Sequence, residues 1–352
     1  MRQHALSIWL AEGQASQRDM LASLQALKSH APQALKIIAS HRHHRPEITD
    51  MADIAYQEPE AETERIDFVL QQARRHQTRV LLSGRNGKAY EAQRAAFAQA
   101  GIRLFTGAQN EDSLHLMDNK AAFAAFCQAR HIPVAGGWEF HNIEELQELL
   151  AQHGQQALCV KPVSGIFAQG FWRLDSGDET WDSFSHLYHT EAKKIHLPQF
   201  IQAYQDSLMV QTRPIPMLLM PYLSGREYSI DVLCERGESL LAISRYKEGS
   251  VQHIGADESV LPLVEAVIAA IGCDGIVSVQ SKGDAQGRQH ILEINARPSG
   301  GISYGNHSGV DITQTAFAYW LGWLSKAEVK ARQEQIQTCC VRPISGSVKI
   351  SG

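Results

Sequence analysis

Several signatures that assign common functions are missing from this sequence. The six cysteines are scattered, with no CxxC pair or other metal-ligand spacing, so a structural zinc site has no support. Neither GxGxxG nor GxxxxGK[ST] occurs, which argues against a Rossmann dinucleotide site and a P-loop. No block of Lys and Arg stands out, and the formal net charge is −5. We therefore do not expect DNA or RNA as a main partner.

Long apolar runs are missing as well. No run approaches the roughly 20 residues that cross a bilayer, and the start, MRQHALSIWLAEGQ, has too short an apolar core for a secretory signal. We therefore predict a cytoplasmic protein without a membrane partner. In the cytoplasm the neighbouring Cys339 and Cys340 are expected as reduced thiols, with a redox role as the alternative.

The composition is that of a globular protein. Apolar residues make up 44% of the chain and charged residues 20%. A length of 352 residues exceeds the usual limit of a single core. Two or three packed units are therefore expected.

The first ~115 residues alternate short apolar runs with helical patterns. The runs 5–10 and 78–84 are typical of strands, and the stretches 17–28, 62–76 and 89–101 are typical of helices. This β-α-β-α order predicts a small parallel sheet covered by helices.

The sequence pattern changes near residue 112. Asp118 is a candidate N-cap for a helix over 119–130. Beyond residue 215 the chain becomes rich in strand patterns, and its last two, 275–282 and 288–296, are joined by GDAQG. This short connection with two glycines predicts a hairpin.

One strand of that hairpin, in ILEINARPSGG, carries an unusual polar face. Because side chains alternate along a strand, Glu293, Asn295 and Arg297 project to one side. If the hairpin forms, Gln280 can lie near Glu293, and together these oxygens suit Mg²⁺, with Arg297 directed at phosphates. The alternative is a solvated strand face followed by a turn.

Two lysines stand in places where a lysine needs a partner. Lys161 lies within the apolar strand pattern LCVKPV, and Lys120 lies near the start of a helix, where its charge opposes the macrodipole. Each position suggests an anionic ligand, although either lysine alone has an ordinary structural explanation.

Read in order, these segments resemble the ATP-grasp superfamily over about residues 115–325. The resemblance rests on MDNKAAF, CVKPVSG, LLMPYLSGREYSIDV, GIVSVQ and ILEINARPSGG. The whole chain resembles most the branch associated with tellurium-resistance-type biosynthetic operons, in which ALSIWL, IASHRHHRP and QGFWRL recur. The implied fold class is α/β and α+β, with an N-terminal parallel-sheet α/β domain followed by a two-lobed ATP-grasp fold. The implied divisions are 1–115 for the first domain, 116–198 for the small lobe, 199–330 for the large lobe and 331–352 for a tail.

The resemblance also implies roles for individual residues. Lys120 and Lys161 would contact ATP phosphates, and Glu227 would bind the ribose. The segment between the lobes, which gives adenine its backbone hydrogen bonds, would be Met220, Pro221, Tyr222 and Leu223. Glu293, Asn295 and Gln280 would hold Mg²⁺ or Mn²⁺, and Arg297 would stabilise the transferring phosphoryl group. Weaker candidates for phosphate or substrate contact are Arg245 and Lys247.

Two departures from the family pattern matter. Gln280 occupies a metal position that is Asp or Glu in many relatives, so the site loses one negative charge. The loop SGIFAQG carries bulky Ile166 and Phe167 where small residues are common.

The implied reaction is the ATP-dependent joining of a carboxylate and an amine, both small molecules, through an acyl phosphate. The acceptor site is expected where residues 296–311 meet the N-terminal domain. Its candidate residues, for which a plain loop is the alternative, are Ser299, Gly300, Gly301, Ser303, Asn306 and His307.

The basic segment HRHHR, 41–45, can bind an anionic group or form a solvated loop. A homodimer is a further expectation, and the alternative functions are an ATP-binding module without ligase activity and a kinase-like phosphotransfer.

Overall fold

The computed structural model describes residues 5–13, 16–163, 169–177, 188, 193–210, 215–344 and 346–349. The chain divides into two compact units. The first unit comprises residues 1–117, 227–281 and 293–352, and the second comprises residues 118–226 and 282–292. The four divisions expected from the sequence stay a prediction.

The first unit begins with the predicted parallel sheet. Its strand order is β3-β2-β1-β4-β5, and every pair is parallel. Ile8, Trp9 and Leu10 are all buried, because helices cover both faces of such a sheet. The strands are β1 Leu6–Leu10, β2 Leu35–His41, β3 Ile54–Gln57, β4 Thr78–Leu82 and β5 Arg103–Phe105.

The helices of this region agree with the expected pattern except near residue 93. The helix expected over 89–101 is two helices, because Gln93 leaves the helical conformation. The turn lets the Arg94 guanidinium donate to the carbonyl oxygens of Leu104 and Ala108 at 3.0 Å. The helices are α1 Ser16–Ser29, α2 Pro46–Thr49, α3 Glu62–Arg75, α4 Gly87–Ala92, α5 Arg94–Gln99 and α6 Glu111–Asp118, with a 3₁₀ turn at Gly84–Asn86.

A six-stranded sheet of order β15-β14-β11-β12-β13-β16 follows, and β14 and β15 are neighbours as the hairpin prediction requires. Its core is continuous with that of the parallel sheet, since Leu21 of α1 belongs to the same cluster as Leu241 and Phe317. The strands are β11 Glu227–Glu235, β12 Glu238–Glu248, β13 Val251–Gly255, β14 Gly275–Gly283, β15 Gln289–Asn295 and β16 Cys339–Val341. The helices are α10 Leu261–Ile271, α11 Ile312–Trp320 and α12 Lys326–Ala331, with 3₁₀ segments at Ile302–Ser308 and Arg332–Gln335.

The second unit contains a five-stranded sheet of order β6-β10-β7-β8-β9 around Phe140, Phe200 and Leu219. Its strands are β6 Trp138–Phe140, β7 Leu158–Pro162, β8 Trp172–Asp175, β9 Lys194–His196 and β10 Met217–Pro221. Its helices include α7 Lys120–Gln128, α8 Ile143–His153 and α9 Leu197–Val210.

The predicted N-cap of α7 was wrong by one residue. Asp118 is the last residue of α6, and Asn119 is the cap, its side chain accepting a hydrogen bond from the Ala122 N–H at 3.0 Å. The sequence pattern does not reveal α6, whose last residue is the acid that precedes the apolar stripe of α7.

Three further expectations concern the chain outside these cores. Cys339 and Cys340 carry free thiols, as predicted. Among the described residues, no helix is both long and apolar enough to cross a membrane. The bulky residues of SGIFAQG, Ile166 and Phe167, lie outside the described residues.

Candidate functional site

The predicted polar row on the last hairpin strand exists and is hydrogen-bonded along its length. The Asn295 amide donates to Oε1 of Glu293 at 3.1 Å, and the Arg297 guanidinium donates to Oδ1 of Asn295 at 2.8 Å. Ile294, between the first two, is buried with 2% exposure on the opposite face. Gln280 lies on the adjacent strand β14. A carboxylate, an amide and a guanidinium are thus in consecutive contact, with Glu293 and Asn295 on β15 and Arg297 two residues beyond its end.

A buried carboxylate fixes the loop that follows this row. Asp231 is only 3% exposed. Its Oδ1 accepts the Ser299 N–H at 3.0 Å, and its Oδ2 accepts the Ser299 hydroxyl at 2.8 Å. Burial raises the pKa of Asp231, while the nearby Arg245 charge and the Ser299 hydrogen bonds act to lower it. Sequence reasoning missed Asp231, although a lone acid between the apolar Ile230 and Val232 was an available signal.

Arg245, on the neighbouring strand β12, contacts both Ser299 and Asp231. Its guanidinium donates to Oγ of Ser299 at 2.9 Å, and its Nε lies 3.8 Å from Oδ2 of Asp231. A Cβ on Gly301 would lie 2.9 Å from Cζ of Arg245. Glycine at 301 is therefore what allows the guanidinium to lie against the loop. The structure thus brings together three predicted residues, Arg245, Ser299 and Gly301.

The end of the polar row also lies against the parallel sheet of the same unit. Gly107, just after β5, has φ +87°, and a Cβ there would lie 2.6 Å from backbone atoms of Ala296. This close approach requires glycine both for its conformation and for its size. It holds Arg297 next to the N-terminal sheet.

The remaining acceptor candidates occupy a second location. The Ser303 hydroxyl donates to Oδ2 of Asp19 at 2.8 Å, and the Asn306 amide donates to Oγ of Ser23 at 3.1 Å, so both contact α1. With the exposed His307 they line a groove of about 610 Å³ whose lining does not include Arg297. The space around the Cβ position of Gly300 is open. These roles stay predictions.

A small cavity lies beside Arg297 at the switch point of the parallel sheet. The chain runs from β1 to β2 on one side and reaches β4 on the other, and ligands of open α/β sheets bind at the carboxyl ends of such strands. The cavity, of about 20 Å³, occupies this place. Its lining residues are Leu10, Ala11, Gly13, Ser16, Gln17, Met20, Leu82, Gly84, Arg297 and Pro298.

In the second unit, cationic side chains gather around Tyr222. Cζ of Arg173 lies 4.7 Å and Nζ of Lys282 lies 5.8 Å from the centre of its ring. Burial raises the pKa of the neighbouring Cys159 to about 11, against the opposing charges of Lys161 and Lys282. Sequence reasoning predicted Lys161 but missed Arg173 and Lys282. These residues lie on separate strands, so no local motif links them.

Two residues of the predicted adenine-binding segment have no N–H available for a base. The Tyr222 N–H donates to the Ala157 carbonyl at 2.8 Å, and Pro221 has no N–H, so neither can donate to a base. Met220 is buried within β10 and Leu223 lies just beyond it. The adenine-binding role of the segment stays a prediction.

The other predicted nucleotide contacts stand at the ends of elements. Lys120 is the first residue of α7. Glu227 is exposed at the start of β11, and Lys247 is exposed near the end of β12.

Comparison with known proteins agrees with the fold and the motifs. Residues 213–344 match the family described as ATP-grasp in the biosynthetic pathway with Ter operon. No curated protein sequence matches the chain.

Several solved structures share the fold across nearly the whole chain. The L-amino acid ligase from Bacillus licheniformis has a TM-score of 0.65 and 16% identity, covering 98% of this chain and 82% of its own. Biotin carboxylase from Campylobacter jejuni, solved as a beta-gamma-ATP complex, has a TM-score of 0.64 and 16% identity, with coverages of 94% and 73%. N5-carboxyaminoimidazole synthetase from Staphylococcus aureus has a TM-score of 0.64 and 11% identity, with coverages of 91% and 78%. Residues 213–344 thus match an ATP-grasp family, and the chain as a whole shares its fold with these three structures.

Proposed function

We propose that the protein is an ATP- and Mg²⁺-dependent ligase that joins a carboxylate to an amine in a small-molecule or peptide biosynthetic pathway. The observation that carries this proposal is the hydrogen-bonded row Glu293, Asn295 and Arg297, whose guanidinium end lines the cavity at the N-terminal sheet. Catalysis of phosphoryl transfer consists mainly of positioning the reactants and stabilising charge. Side-chain oxygens that can hold a metal ion, together with a fixed guanidinium, suit this task.

The donor set of this row fits Mg²⁺. Among the described residues there is no group of three or more His, Cys, Asp and Glu that could hold a metal. In the proposed site, Glu293 would supply the carboxylate, and Asn295 and Gln280 would supply amide oxygens. Mg²⁺ commonly takes one or two carboxylates and completes its shell with water and phosphate oxygens. When bound, Mg²⁺ or Mn²⁺ neutralises phosphate charge.

The chain's own residues then bind and orient the reactants. Lys120 and Lys161 bind ATP phosphates, Leu223 and the carbonyl oxygens of its segment bind adenine, and Glu227 binds the ribose. A substrate carboxylate attacks the γ-phosphorus, releasing ADP and forming an acyl phosphate. The amine then attacks the acyl carbon and phosphate leaves, giving an amide and releasing a proton. Arg297 stabilises charge in both steps.

Two features of the comparisons support small-molecule substrates and a nucleotide. One neighbour is an L-amino acid ligase, and others are complexes with beta-gamma-ATP or ADP. We place the reaction in the cytoplasm, where ATP is supplied, and propose a homodimer, since one neighbour is titled a dimer.

The test is ADP release from ATP and Mg²⁺ with a panel of carboxylates, in the presence of hydroxylamine. A ligase gives ADP together with a hydroxamate, because hydroxylamine traps an acyl phosphate. ATP binding without turnover across the panel would support an ATP-binding module instead. ADP release without hydroxamate would support transfer of phosphate to a hydroxyl group.

A further inference from the structure

A cysteine, a histidine and a glutamate lie together at the edge of the six-stranded sheet, outside the proposed ligase site. Sγ of Cys340 on β16 lies 3.2 Å from Nδ1 of His253 on β13. Nε2 of the same imidazole lies 3.4 Å from Oε2 of Glu248, the last residue of β12. The three side chains therefore form a continuous series from a thiol through an imidazole to a carboxylate.

The pairing of the strands places the imidazole beside the thiol. β13 and β16 are antiparallel, and His253 and Cys340 are directly opposite each other, so their side chains share one face of the sheet. On its other side His253 is opposite Tyr246 of β12, and the two rings stack with their centres 4.6 Å apart and their planes 2° apart. The sheet therefore fixes both the position and the plane of the imidazole next to the sulfur.

The carboxylate favours the tautomer of His253 that can take a proton from the thiol. Ionised Glu248 can only accept, so it favours a proton on Nε2, which leaves a lone pair on Nδ1 facing Sγ of Cys340. After proton transfer, the imidazolium has a thiolate on one side and a carboxylate on the other. Such an arrangement increases the reactivity of a cysteine, because the thiolate is the nucleophilic form.

Cys340 is the exposed member of the six cysteines. Cys339, its neighbour, projects to the opposite face and packs against the core, and burial raises its pKa. Burial also raises the pKa of Cys127 and of Cys159 to about 11. The buried cysteines are Cys127, Cys159, Cys234 and Cys273. A reagent in solution therefore meets Cys340 first.

Other charged and titratable side chains of the neighbouring elements are distributed over both faces of the sheet. Lys247 follows Tyr246 along β12 and so projects away from the face of His253. The 3₁₀ segment with Tyr304 and His307 packs on the Cys339 side, since Ile302 and Tyr304 share the core cluster of Cys339. Arg342, two residues after Cys340, is exposed and adds a positive charge.

We propose that Cys340 is a modification site for small-molecule disulfides, with His253 as the proton acceptor and Glu248 as the residue that positions the imidazole. The thiol proton moves to Nδ1, and Sγ attacks one sulfur of the disulfide. A new S–S bond forms to Cys340, the S–S bond of the reagent breaks, and the leaving thiolate takes the proton. Cys340 is thus oxidised to a mixed disulfide while the reagent is reduced to one thiol. This inference goes beyond the ligase reaction and does not depend on it.

The test uses glutathione disulfide with the full folded chain, and mass spectrometry of the intact protein and of its peptides locates the adduct. We expect a single glutathione adduct, on Cys340, that dithiothreitol removes. Cys340→Ser should abolish the adduct, whereas Cys339→Ser, the control on the opposite face, should keep the wild-type rate. An adduct on another cysteine with Cys340 unmodified, or a disulfide between Cys339 and Cys340 without an adduct, would overturn the proposal.

Two variants test the roles of the neighbouring side chains. At neutral pH, His253→Gln should slow adduct formation about tenfold and Glu248→Gln about threefold, because each lowers the thiolate fraction. At about pH 10 both should react at the wild-type rate, since a cysteine thiol ionises there without help. His44→Gln, which changes an exposed histidine, should match wild type throughout. Wild-type rates for His253→Gln at neutral pH, or the same slowing at both pH values, would refute the assignment.

Discussion

Ser299 makes two hydrogen bonds to Asp231, its N–H to Oδ1 at 3.0 Å and its hydroxyl to Oδ2 at 2.8 Å. This pair holds the Pro-Ser-Gly-Gly loop against β11, directly after the row that ends at Arg297. Asp231 is therefore a positioning residue for the candidate site.

Replacing Asp231 with alanine should destabilise the protein by about 3 kcal/mol, because it leaves the Ser299 N–H and the Arg245 guanidinium without their buried partner. Denaturant unfolding measures this loss. Ser299→Ala, which removes only the hydroxyl, should cost about 1 kcal/mol. Equal losses for the two variants would show that the carboxylate does not anchor the loop.

Substitution of Gly107, which contacts Ala296, can be compared with substitution of Gly101, which makes no such contact. Gly107→Ala combines φ +87° with a Cβ 2.6 Å from the Ala296 backbone, whereas Gly101 has φ +71° with no atom within 4 Å of its Cβ position. Gly101→Ala should therefore cost only backbone strain, about 1 kcal/mol, and Gly107→Ala should cost more than about 3 kcal/mol. Chemical denaturation compares them. Similar losses of unfolding free energy in the two variants would mean that the segments around Gly107 and Ala296 move apart at little cost.

His41, at the end of β2, should make stability depend on pH. Burial lowers the pKa of His41 below 6.5, although the Glu12 charge acts to raise it. Its Nδ1 lies 3.0 Å from the His43 backbone nitrogen and 3.1 Å from the His43 carbonyl oxygen, and the hydrogen bond to the His43 backbone acts to raise the pKa, so burial is what lowers it.

Because the unfolded chain binds this proton more tightly, the free energy of unfolding should fall as pH drops from 6.5 toward the lowered pKa. Unfolding curves over that range should show a smaller fall for His41→Asn. The exposed His44 gives the control, and His44→Asn should keep the wild-type slope. An identical slope in His41→Asn would exclude His41 as the group responsible.

The contribution of Arg297 to turnover should depend on the planar arrangement of its N–H donors as well as on its charge. Lysine keeps the charge but offers three donors on one nitrogen instead of a planar, fixed fork, so Arg297→Lys should lower hydroxamate formation about 100-fold. ATP binding should change little, and calorimetry checks this. A Lys variant with wild-type turnover would assign the charge stabilisation to another residue.

The sequence predicted what depends on short-range periodicity. The parallel sheet follows from the apolar runs of β1 and β4, and the shared side of Glu293 and Asn295 follows from the alternation of side chains along β15, whereas Arg297 lies beyond the end of that strand. Each of these needs only the local geometry of a strand. Their positions in the structure agree with the pattern.

Other features depend on residues far apart in the chain, which no local pattern reveals. Asp231 and Ser299 are 68 residues apart, and Ser40 and Glu58 are 18 apart. Ser303 and Asn306 were predicted from a polar loop, and their contacts to α1 depend on how that helix packs.

The last prediction concerns the amide at position 280. Gln280 lies on the strand next to Glu293 and contributes no charge, so the proposed site holds Mg²⁺ with a single carboxylate. Gln280→Glu should lower the Mg²⁺ concentration that gives half-maximal ADP release, and Glu293→Gln should raise it, each by about tenfold. Arg297→Lys is the control, because it slows turnover without removing a metal ligand and should leave the half-maximal Mg²⁺ concentration unchanged. Chelation of Mg²⁺ should abolish ADP release, and Mn²⁺ should restore it. If Glu293→Gln keeps the wild-type requirement for Mg²⁺, the metal assignment on β15 is wrong, whatever the effect of Gln280→Glu.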